Sequence, residues 1–109
     1  MQYGVIYITT ENEEEAARIG KKLVEEKLIA CVNIIRDVRS IYREGEKILD
    51  EPEAAMICKT RADLEDEVIK RVRELHSYEV PEIVSLKIEK GWPDYLKWID
   101  QSTQKEITA

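Results

Sequence analysis

The chain has 109 residues, with 23 acidic against 17 basic side chains and a formal net charge of −6. The length suits one domain, and we predict that residues 1–109 form a single one. The acidic excess disfavours nucleic-acid binding and a basic membrane-surface patch. No apolar run approaches the roughly 20 residues that span a bilayer, and the first residues show no secretory signal, so we expect a cytoplasmic location.

The first predicted elements are a strand and an amphipathic helix. The β-branched and aromatic run from Tyr3 to Ile8 predicts a buried strand. Thr10 and Glu13 have the spacing of a capping box, which predicts that a helix begins there. The apolar face of this helix recurs at helical spacing and comprises Ala16, Ile19, Leu23, Val24 and Leu28.

A long hairpin follows, running from Ala30 to Cys58 with a turn near Gly45. Pro52 cannot donate a ladder hydrogen bond, so its part of the return arm must be an edge, a bulge or an interruption. Arms of roughly 12 to 15 residues are too long for two helices to cover, because an ordinary strand has about 5 or 6. The uncovered apolar residues are Ile34, Ile35, Val38, Ile41 and Ile48. Such strands invite pairing, so we predict a closed homo-oligomer.

The second half of the chain predicts a helix, a strand and a last helix. Thr60 and Asp63 form a second capping-box pattern. The helix after it carries Leu64, Val68, Val72 and Leu75 and ends near His76. Residues 83–88 predict a strand, and Pro93 suits the first turn of a short helix before a frayed polar tail from Gln101. The order β-α-β-β-α-β plus a C-terminal helix predicts an α+β, ferredoxin-like fold.

Few residues carry chemistry, and each has a structural alternative. His76 is the only histidine; it either caps the second helix or acts as a metal ligand completed by a neighbouring subunit. Glu79 and Glu82 flank a proline, either in a cleft or on a solvated surface. Lys59 precedes the second helix and either holds an anion or pairs with a surface acid. Cys31 and Cys58 lie in apolar runs, which favours packing over a disulfide or a metal pair.

Several function classes lack their motifs. The four glycines are scattered and form no phosphate loop. Two buried cysteines and the absence of a Ser/His/Asp elbow argue against a nucleophile, so we expect no enzyme. RNA-binding domains share the predicted strand order but stack bases on central-strand aromatics, and the stretch from Ala54 to Lys59 has none.

Five stretches together resemble one family. They are residues 28–33 (LIACVN), 40–42 (SIY) with Gly45, 58–60 (CKT), 76–83 (HSYEVPEI) and 94–99 (DYLKWI). In this order and spacing the chain resembles the CutA family of divalent-cation-tolerance proteins, over nearly its whole length. The resemblance implies a tight trimer joined through long hairpins, similar to the PII signalling proteins. It also implies a link to divalent metals, copper above all.

The resemblance also implies a copper site, which this chain matches in one residue. Some bacterial members use a cysteine at the end of the first strand and a His-His pair; here Thr9 and Leu75–His76 stand at those positions, and Ser77 replaces the usual proline. Hypothesis one is therefore a trimeric Cu(II)- or divalent-metal-binding protein with His76 as the ligand. Hypothesis two is a PII-like sensor of a small anion in inter-subunit clefts, and hypothesis three is a trimeric scaffold without a ligand. The candidate cleft residues are Lys59, Thr60, Tyr78, Glu79 and Glu82.

Overall fold

The computed structural model describes residues 1–104 and confirms the predicted α+β, ferredoxin-like fold. The strands are β1 (Tyr3–Thr10), β2 (Cys31–Glu44), β3 (Lys47–Arg61) and β4 (Ile83–Ile88). The helices are α1 (Glu13–Glu25), α2 (Glu65–Leu75) and α3 (Pro93–Ser102), and a short 3₁₀ turn, Ala62–Leu64, leads into α2. The strands pair antiparallel in the order β2-β3-β1-β4, with β1 and β3 at the centre.

The core lies between one face of the sheet and helices α1 and α2. Side chains alternate between faces along a strand, so the even-numbered residues of β1 and of the inner half of β3 point at the helices. The fully buried core residues include Ile6, Ile8, Ile19, Leu23, Met56, Cys58, Val68 and Val72. Val24, which the sequence assigned to the buried face of α1, is instead 41% exposed. It lies about 100° around the helix from Leu23 and so faces solvent.

The hairpin of β2 and β3 extends beyond the rest of the sheet. Strand β1 pairs with β3 only as far as Ala54, so the distal part of β3 has β2 as its one neighbour. Pro52 lies in that part, as the edge interpretation predicts, and β2 carries a bulge between Ile35 and Val38. Gly45 has φ +61° at the tight turn between the arms. The apolar residues left exposed on the hairpin include Ile35, Ile41, Tyr42 and Ile48.

Both predicted capping boxes are wrong. Thr10 is the last residue of β1 and its hydroxyl donates to the Asn12 carbonyl at 2.8 Å. Asn12 is the N-cap of α1, and its side-chain oxygen accepts from the Glu15 N–H at 2.8 Å. Thr60 belongs to β3 and donates its hydroxyl to the Leu28 carbonyl at 2.6 Å, while α2 has no side-chain cap. Strand pairing extends through both threonines, so neither is available to begin a helix.

Helix α3 packs on the opposite face of the sheet, near the start of β2. Its Ile99 is fully buried, and the Tyr95 hydroxyl lies 3.4 Å from the Cys31 sulfur. The helix continues through Ser102 and Thr103 is buried, so Gln101, where the sequence placed the start of a frayed tail, is still helical. Residues 105–109 of that predicted tail lie outside the described residues. Within residues 1–104, no helix is long and apolar enough to cross a membrane.

Candidate functional site

His76 follows α2, and its ring is fully enclosed. The side chain has 0% exposure, Nδ1 accepts from the Tyr78 N–H at 3.0 Å, and Nε2 lies 2.7 Å from the Thr9 carbonyl oxygen. Because Nδ1 is the acceptor of an amide proton, Nε2 must carry the ring proton and donate it to Thr9. Both ring nitrogens are therefore occupied by backbone groups, and a metal at His76 has to displace one of them.

Glu15 supports the same corner from α1. Its carboxylate is 7% exposed and accepts from the Ser77 N–H at 2.8 Å and from the Glu11 N–H at 3.1 Å. The carboxylate also lies 4.0 Å from His76 Nδ1. Burial alone raises the pKa of Glu15, but the hydrogen bonds from Ser77 and Glu11 and the nearby His76 outweigh it, so its pKa is lowered. The start of α1, the end of β1 and the loop after α2 are thus fastened together.

A cleft opens beside this corner, on the sheet face opposite to α1 and α2. Its volume is about 750 Å³, and we call it the Tyr78 cleft. The Tyr78 hydroxyl donates to Glu53 Oε2 at 2.9 Å, and the Thr9 hydroxyl donates to Glu82 Oε1 at 3.3 Å. Three tyrosines and three glutamates contribute to its lining: Tyr7, Tyr42, Tyr78, Glu44, Glu53 and Glu82.

The electrostatics of the Tyr78 cleft favour neutral phenols beside carboxylates. Burial and the hydrogen bond to Glu53 raise the pKa of Tyr78. The hydrogen bond to Glu51 raises the pKa of Tyr42 to about 12. The phenols therefore stay protonated at neutral pH and donate to the acids, which leaves the negative charge on the carboxylates.

The five predicted cleft residues fall into separate groups within one chain. Tyr78 and Glu82 line the Tyr78 cleft, whereas Glu79 lines a shallow pocket beside α2 with Lys70 and Arg73. Lys59 pairs in register with Val5, near the other end of β1 from Thr9, and donates to Asn33. Thr60 is fully buried. A site that combines both groups would need more than one copy of the chain.

The two cysteines and the residues at the family's proposed metal positions differ in burial and in the groups that they contact. Cys58 is buried in the core, and burial raises its pKa to about 12. Cys31 lies on the opposite face, and both thiols are free. Leu75 packs against the core, and the Thr9 hydroxyl donates a hydrogen bond to Glu82. Among residues 1–104, no group of three or more His, Cys, Asp and Glu side chains is arranged to hold a metal.

Sequence reasoning missed most of the residues that build this site. Glu15 stands three residues after Asn12, the position from which an acid reaches back at a helix start, and this spacing could have indicated it. Glu53 and Tyr7 have no local signal, because their proximity to Tyr78 arises only when β1 pairs with β3.

The fold and the site together define a class of protein. This is a ferredoxin-like α+β domain with an overlong hairpin and an acidic, aromatic cleft. The chain belongs to the CutA1 divalent ion tolerance protein family, whose model matches residues 4–102.

Individual relatives agree with this assignment. The chain is 42% identical over 99 residues to the divalent-cation tolerance protein CutA of Thermus thermophilus, covering 91% of this chain and 96% of that protein. It is 38% identical over 101 residues to the chloroplastic protein CutA 1 of rice, covering 93% of this chain. It spans less than two thirds of the length of the animal and plant relatives reported, 57% for rice and 62% for the Xenopus laevis homologue.

A solved structure shares the fold closely. The structure described as the periplasmic divalent cation tolerance protein CutA from Archaeoglobus fulgidus superimposes with a TM-score of 0.91 at 43% identity. The match covers 94% of this chain and 99% of that one.

Proposed function

We propose that this protein supports divalent-cation tolerance by binding a cation directly, as a homotrimer and not as an enzyme. The observation that carries the proposal is the convergence of Glu53, Glu82, Tyr78 and Thr9 oxygens on one cleft. Carboxylate and hydroxyl oxygens suit divalent cations that prefer hard ligands, such as Mn²⁺ or Mg²⁺.

Copper would prefer a different donor set. Cu(II) favours imidazole nitrogen, and the nitrogens of His76 are held by Thr9 and Tyr78. Copper binding at His76 therefore has to offset the loss of a buried hydrogen bond, which costs about 1–3 kcal/mol. We expect the oxygen-lined cleft to bind its cation without that cost. The same acidic lining favours a cation over the small anion of the PII-like alternative.

A trimer would complete the site and cover the hairpin. The described part of one chain supplies no three-residue metal cluster, so remaining ligands come from water or a neighbouring copy. Ile41 is 61% exposed and Ile48 60% exposed on the hairpin, which is unfavourable for an isolated chain. Closed rings of identical subunits bury such strands without leaving a free edge. We also propose that the protein acts in the cytoplasm, the location expected because the sequence shows no apolar run of membrane-spanning length.

Calorimetric titration of chelator-stripped protein tests the cation site. We expect saturable Mn²⁺ binding that the double substitution Glu53→Gln and Glu82→Gln abolishes. Glu46→Gln, at the exposed hairpin turn and outside the cleft lining, removes one charge and serves as the control. Parallel titrations with Cu(II) compare wild type with His76→Ala. Tight Cu(II) binding that survives Glu53→Gln with Glu82→Gln but is lost in His76→Ala, at a temperature where circular dichroism shows that this variant is folded, would place the metal at His76 and reject the carboxylate site.

Light scattering at micromolar concentration tests the assembly. We expect three times the chain mass for wild type and a smaller species for Ile41→Glu, because a buried unpaired charge opposes association. Lys21→Glu on the exposed side of α1 is the control. A monodisperse wild-type monomer would refute the trimer.

A further inference from the structure

We draw no further inference here: the strongest candidate, the exposed aromatic surface that Trp92, Tyr95 and Trp98 form on α3 and at its N-cap, carries nothing because no feature of residues 1–104 shows what covers it, and a second copy placed there would only restate the trimer already proposed.

Discussion

Replacing His76 with alanine should destabilise the protein strongly, whatever its effect on metal binding. The ring is fully buried and joins the Thr9 carbonyl to the Tyr78 N–H. Truncation leaves two buried backbone groups unpaired, at about 1–3 kcal/mol each, and removes the packing of the ring. We expect a loss of about 4 kcal/mol, a large part of the stability of a domain of this size and equivalent to at least ~10 °C in Tm.

Urea unfolding followed by circular dichroism measures this loss. Wild type and variant must be compared at one protomer concentration, because assembly contributes to the stability of an oligomer. His76→Gln should recover about half of the loss, since its amide can donate to Thr9 but does not replace Nδ1 as acceptor. Glu79→Ala, an exposed neighbour, should stay within ~0.5 kcal/mol of wild type. If His76→Ala keeps wild-type stability but loses copper, the ring is free to ligate and the reasoning from its hydrogen bonds is wrong.

Three further predictions concern single positions. The lowered pKa of Glu15 means that it stabilises the fold above pH 4.5, its ordinary value, and that this contribution is lost as the pH falls through the folded-state pKa. The stability gap between wild type and Glu15→Gln should therefore narrow on acidification; a gap independent of pH would contradict this. With Cys31 replaced by serine, the remaining thiol of Cys58, whose pKa burial raises to about 12, should react with Ellman's reagent only on unfolding, not within minutes. Gly45→Ala should cost about 1 kcal/mol in urea unfolding, because φ is +61° and the new methyl meets no atom within 4 Å that could compensate; an unchanged midpoint would count against the strain.

The fold was predictable because its signals are long and repeated. Helical spacing over the apolar residues of α2 and strand-like runs on both sides of Gly45 identify elements without tertiary information. The helix starts were not predictable in the same way. The spacing of Thr10 and Glu13 satisfies the capping pattern, but pairing of Thr10 with Ala54 continues β1 through that residue. A pattern of four consecutive residues carries no information about a strand partner such as Ala54, which lies more than 40 residues away.

The site was only half predictable, for a related reason. Glu82 was a cleft candidate because it flanks Pro81, and Tyr78 was one because the PII-like hypothesis assigned the loop of residues 76–82 to a cleft. Glu53 enters the same cleft because β3 pairs with β1, which brings residues from distant parts of the chain onto one sheet face. Lys59 shares that face with Glu53 but sits six residues further along β3, about 20 Å away. The sequence grouped it with Tyr78 because chain order does not report such distances.

The two contacts of Thr9 separate a backbone role in the fold from a side-chain role in the site that we propose. Its carbonyl accepts from His76, a backbone contact that any residue at this position can make. Its side chain is free to vary, and here the hydroxyl donates to Glu82. A cysteine thiol at this position would offer a soft sulfur ligand. The Thr9 hydroxyl instead donates to the Glu82 carboxylate, whose oxygens are hard ligands. The backbone contact holds the corner in shape, and in the function that we propose the side chain would set which cation the cleft binds.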